Sequence, residues 1–165
     1  MKPLDYPDLH HLNAATGWLD LGNTSETELE LSKIAPAQQE NPSVLTVRWH
    51  LYAFEKDWEK ALRVSRRHVL LQPESPEAWI NQSYALHELS QTDEAFRELR
   101  QVVDRFTGVG TIPYNLACYT CRLGLLDEAR SWLKRAHQVL GRKQLIAMAS
   151  ADPDLEPLRS EIVDL

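Results

Sequence analysis

Apolar residues recur along this chain at spacings of three and four, with charged and amide residues between them. Leu45, Trp49, Tyr52 and Ala53 follow that rhythm, and so do Leu62, Val69 and Leu70, then Phe96, Leu99, Val102 and Val103. Residues spaced this way line one face of an α-helix. No window alternates strictly between apolar and polar, so no sheet is expected. The helical segments are punctuated as helices should be. Asn41-Pro42 and Ser75-Pro76 place a capping side chain before a proline at the first helical position, and Thr111 is the expected cap before Ile112-Pro113. Asp57, Asp93-Glu94 and Asp127-Glu128 put acidic groups at the positive ends of later helices.

A longer period lies over the short one. Thr27, Ala61, Ala95 and Ala129 stand 34 residues apart. Self-similarity at this interval predicts stacked helical hairpins, with a small residue wherever two helices cross. The period sets repeats at 8–41, 42–75, 76–109 and 110–143, followed by a capping tail at 144–165, all in one domain. Gly22 and Gly124 occupy equivalent turns between paired helices. Lys56 and Ser90 replace glycine there, which predicts that those two turns avoid a positive φ. The first repeat diverges: Thr27 stands in place of Ala, and Pro36 should end or kink its second helix.

These residues resemble the tetratricopeptide repeat family over about residues 8 to 143. Trp79, Tyr52, Leu86, Ala61, Ala95, Ala129, Ala136 and Pro73 match the family's pattern. Ala15, Ser83 and Ala117 fill the small crossing position, from which Trp49 departs. The resemblance implies an all-α fold, a right-handed α-solenoid of about four helical hairpins closed by a C-terminal capping helix. It also implies a concave groove that takes a peptide segment of another protein. Carried over by repeat position, the lining includes His50, Phe54, Ile80, Asn81 and Tyr84 from the middle repeats. His87, Tyr114, Asn115, Cys118 and Arg122 continue it. The lining is aromatic and neutral-polar. Chaperone-binding members hold a carboxylate with Lys, Asn and Arg at these positions; here Asn81 and Asn115 are present but no Lys is, so most of the clamp's cations are missing. Tight binding of an acidic chaperone tail is therefore not expected.

The net charge of −6 is unevenly distributed. Residues 1–42 carry −5, residues 43–143 carry +3 and residues 144–165 carry −4. The short basic run Arg63, Arg66 and Arg67 reads as a solvated face, and an acidic chain is a poor nucleic-acid binder. No apolar run approaches the roughly 20 residues that span a bilayer. The start, Met1 to Tyr6, shows no apolar leader core. These features point to a cytoplasmic protein, and Asp-Pro-Asp-Leu tails like that at 152–155 are similar to those of bacterial members of the family. The tail's apolar stripe, Leu145, Ile146, Met148 and Ala149, is suited to covering the last hairpin.

Chemistry is sparse. Cys118 and Cys121 form a CxxC, but it lies mid-helix with no preceding strand, which removes the redox geometry. With His87 or His50 the thiols could supply zinc ligands, although His50 lies two repeats from Cys118. His10-His11 reads as an exposed helix start. No phosphate loop or nucleophile elbow is present. The sequence thus describes a non-enzymatic interaction module without cofactor or metal, binding a protein segment and inserting in no membrane. Homo-oligomerisation stays open. A secretion-type tetratricopeptide chaperone and a Cys/His metal or redox protein are the alternatives.

Overall fold

In the computed structural model, residues 4–163 are described. The first three residues and the last two, and with them part of the leader and capping-tail expectations, lie outside the described residues. Ten α-helices follow in order, with no strand among the described residues. The chain divides into two compact units, Met1–Ala85 and Leu86–Leu165.

The first unit holds α1 (Asp8–Asp20), α2 (Thr24–Lys33), α3 (Pro42–Phe54), α4 (Trp58–Leu71) and most of α5 (Pro76–Glu88). α1 pairs with α2 and α3 with α4, and α3 also packs on both members of the first hairpin. Leu12, Ala15, Leu31, Ile34, Val44 and Leu51 make one core across these three helices. Thr27 fits the crossing despite its hydroxyl. It is fully buried, and its Oγ1 donates to Asn23 O at 2.8 Å and towards Ala15 O, on the facing helix, at 3.4 Å. The polar atom is satisfied, so the position accepts Thr where the later repeats use Ala. Pro36 does end the second helix. α2 stops at Lys33, a 3-10 turn spans Pro36–Gln38, and Gln39 Nε2 donates to the freed carbonyls of Leu31 and Ile34 at 3.0 and 2.6 Å.

The caps follow the sequence in part. Asn41 accepts from Ser43 N and Asp57 from Lys60 N, both at 3.1 Å, and Ser75 Oγ reaches Ala78 N at 3.5 Å. Thr111 is not a cap: α7 (Thr111–Arg122) already includes it, behind Gly110, with no side-chain cap bond. His11 is likewise no exposed start residue, because its Nδ1 meets Glu30 Oε2 at 2.8 Å.

The turn prediction for Lys56 and Ser90 is overturned. Both adopt positive φ, 57° and 63°, beside 74° at Gly22 and 78° at Gly124. The hairpin closes through the same bonds in each case. Lys56 N donates to Ala53 O as Gly22 N does to Leu19 O, and Ser90 N donates to His87 O as Gly124 N does to Cys121 O. The return path dictates the left-handed residue, and the side chain accepts the strain. Glycine relieves roughly 1–2 kcal/mol of left-handed strain, partly offset by its greater freedom when unfolded. Lys56→Gly and Ser90→Gly are thus each expected to raise stability by about 0.5–1 kcal/mol, read as a higher urea midpoint.

The second unit contains α6 (Thr92–Arg100), α7, α8 (Leu126–Leu140), α9 (Arg142–Ala149), a 3-10 helix at Pro153–Leu158 and α10 (Arg159–Val163). α6 ends earlier than its apolar rhythm suggests. Val102 and Val103 stay buried, but the backbone tightens to i→i+3 bonds from Val102 N to Leu99 O and from Arg105 N to Val102 O. α7 pairs with α8, touches α6 and carries the 3-10 helix. Ala95 and Ala129 are fully buried at the phase positions, as Ala61 is in the first unit. Arg130 fastens the tail to α8 through paired contacts to Glu161 at 2.8 and 2.9 Å.

Candidate functional site

Each unit contributes its own set of the expected lining residues. In the first unit, α3 and α5 bring rings together. Trp49 and Tyr84 lie 6.2 Å apart at 72°, Trp58 and Tyr84 5.6 Å apart at 66°, and Trp49 and His50 5.2 Å apart at 84°. These are edge-on arrangements, which aromatic pairs favour. Tyr84 and Phe54 remain exposed, at 38% and 58%, and His50 is exposed too. Ile80 is half-buried and Asn81 is buried. Tyr84 follows Asn81 by three residues, so they share a helix face. Two donors in this unit are shielded from water without an acceptor: Asn81 Nδ2 and Trp49 Nε1. A donor in that condition costs about 1–3 kcal/mol relative to a bonded one.

Trp49 and Trp58 were not among the expected lining residues. The signal for Trp49 was present, a large indole where the repeat pattern places a small residue. Trp58 carried no such mark.

In the second unit, α7 is buried from Ile112 to Cys121, polar Asn115 and Thr120 included. Thr120 Oγ1 is satisfied by its own helix, donating to Leu116 O at 2.8 Å. What meets the other α7 groups is the tail. Tyr114 donates its hydroxyl to Asp152 Oδ2 at 2.6 Å, and Cys118 Sγ lies 3.5 Å from the same oxygen. Asp152 Oδ1 meanwhile accepts from Asp154 N at 3.0 Å and starts the 3-10 helix. Asp154 Oδ2 meets His87 Nε2 at 2.8 Å, and Asp154 Oδ1 stands 3.4 Å from Arg122 Nε. His87 is held from its other side by Thr92 Oγ1 at 3.0 Å, and its ring lies 4.9 Å from that of Tyr119. Leu155, Leu158 and Ile162 anchor the tail in apolar surroundings.

Of the expected residues, His87, Tyr114, Cys118 and Arg122 are therefore gathered around two tail carboxylates. The aspartates were legible only as helix starters. Asp152 does start a helix, with one oxygen, while the other receives α7.

The electrostatics favour neutral donors. Burial, then the neighbouring Cys118 and Asp152, push the Tyr114 phenol well above its ordinary range. Burial, then the charges of Asp152 and Asp154, push the Cys118 thiol up, and the same causes raise Cys121. Both cysteines are buried and unpaired. A thiol so placed resists becoming the thiolate that redox and metal chemistry require. Among the described residues no group of His, Cys, Asp and Glu has the arrangement of a metal site, and no helix is long and apolar enough to cross a membrane.

No protein-family model matches the chain, and no curated protein matches it in sequence. Solved structures do. A MamA fragment, residues 41 to the end, from Desulfovibrio magneticus RS-1 superposes with a TM-score of 0.74 at 16% identity, covering 99% of this chain and 97% of that one. A second MamA crystal structure gives 0.72 at 16% identity, covering 95% and 86%. YrrB, a TPR protein described as having an unusual peptide-binding site, gives 0.67 at 12% identity, covering 93% and 84%. The fold is the tetratricopeptide repeat fold. α3, α5 and α7 are the helices to which the resemblance assigned the groove lining.

Proposed function

We propose that the protein is a non-enzymatic interaction module that holds a peptide segment of a partner protein on the α3–α5 face of its first unit. The observation that carries this reading is the exposure of Tyr84 and Phe54 beside a cluster of edge-on rings, Trp49, Tyr84 and Trp58. Tyr84 and Phe54 supply aromatic contact area to a peptide at little entropic cost. His50 and the Trp49–Tyr84–Trp58 ring cluster hold the surface rigid, so little ordering is required on binding. YrrB's peptide-binding site is a further support, since the folds correspond. Ile80 borders this face. Asn115, buried on α7, belongs to the same repeat position as Asn81.

The test uses a phage-displayed peptide library selected on the full chain. Selected peptides should lose at least tenfold in affinity on Tyr84→Ala and on Phe54→Ala, about 1.4 kcal/mol or more each, with helical circular dichroism unchanged. Unchanged affinity in both variants would remove this face from the reading.

A further inference from the structure

We infer that the α7 surface of the second unit is a second recognition site, for acidic Asp-X-Asp-Leu segments of a partner protein, and that the chain's own tail occupies it as a competing internal ligand. The tail displays the fit. Asp152 receives Tyr114 O–H and the Cys118 thiol, Asp154 receives His87 and Arg122, and Leu155 is fully buried behind them. Carboxylates are recognised here by a phenol, a thiol and an imidazole, with one guanidinium. Lysines are absent from the set, which is why the missing clamp cations did not reveal it.

An incoming segment has a foothold. The Arg122 side chain remains 60% exposed, with its Nε 3.4 Å from Asp154 Oδ1. Beside it an open depression of about 370 Å³ is lined by Cys121, Arg122, Pro153, Asp154, Glu156 and Pro157. A partner carboxylate can engage Arg122 there before Asp152 and Asp154 leave, and then take their places on Tyr114, Cys118 and His87. Tethering gives the tail a high effective concentration, so the intact chain binds such a segment weakly. Weakening the tail's grip exposes the site's full affinity.

This site draws on α5 only through His87 and uses neither Tyr84 nor Phe54, so its test keeps the two apart. A fluorescent peptide of residues 150–165 is titrated into the full chain and into a full-chain Asp152→Asn/Asp154→Asn variant. The variant should bind at least tenfold more tightly than the unaltered chain. A peptide with the same two Asp→Asn changes should lose at least tenfold, and Arg122→Ala added to the variant should weaken binding several-fold. Phe54→Ala should change nothing. Equal affinity for the Asp and Asn peptides, or no binding to the variant at millimolar peptide, would overturn the inference. So would a concentration-dependent dimer in light scattering, which reassigns the surface to the tail of a second copy. Should the variant fail to fold, amide exchange on the unaltered chain decides. Peptide must accelerate exchange at residues 153–162, and unchanged protection at saturating peptide rejects the displacement.

Discussion

Leu155→Ala is expected to destabilise the second unit by about 2–5 kcal/mol, the range for truncating a fully buried leucine. Leu155 has no exposed surface and stands one residue after Asp154. Its loss therefore leaves a cavity and also loosens the carboxylate that holds His87 and Arg122. The consequence reaches α7, because the 3-10 helix at Pro153–Leu158 packs directly on it. Tyr114, at 5% exposure, and Cys118, at 4%, should become accessible as the tail loosens. Two measurements check this. The urea midpoint should fall, and Cys118 should react faster with a thiol reagent at concentrations of denaturant too low to unfold the chain. A lowered midpoint without faster Cys118 labelling would mean that the tail stays seated and that Leu155 contributes packing alone. Leu158→Ala, equally buried but further from the aspartates, serves as the comparison.

How much of this could be read from the chain depended on the range of the interaction. The 34-residue period placed Ala61, Ala95 and Ala129 at helix crossings, and all three are fully buried. A helix crossing imposes a size limit on one residue, and a size limit is visible in one letter. The left-handed turns at Lys56 and Ser90 were misread because local preference and hairpin geometry disagree there, and the geometry prevails through tertiary packing. The contacts of Asp152 and Asp154 were invisible for a different reason. They join residues 34, 38 and 67 positions apart, and the repeat period, which the first of these equals, marks equivalent positions and not contacts. The candidate lining was therefore legible as a set of positions, and the tail as a cover for the last hairpin, while the carboxylate contacts between them were not. The unpaired donors of Asn81 and Trp49 were equally hidden, since satisfaction is a property of the packed state.

The first repeat gives the last prediction, and the second of large size. Thr27 and Pro36 marked it as divergent, and a divergent hairpin can be either a frayed end or part of the core. Its core points to the second. Leu31 is fully buried and packs with Leu12 and Ala15 of α1, Ile34, and Val44 and Leu51 of α3. Asp8 at the start of α1 accepts from Ala35 N at 2.8 Å, and Arg67 on α4 reaches back to Glu40 at 2.8 and 2.5 Å. A frayed helix would tolerate Leu31→Ala with a few tenths of a kcal/mol lost, as fraying segments open at little cost. A helix integrated into the core of the first unit loses about 2–5 kcal/mol. The larger loss is expected, with a cooperative transition retained and amide protection lowered throughout α1 to α3. Protection lowered in α1 and α2 alone would instead identify the first hairpin as a separately opening segment. In that case the α3–α5 face would keep its peptide affinity in Leu31→Ala, whereas an integrated core predicts that affinity falls together with stability.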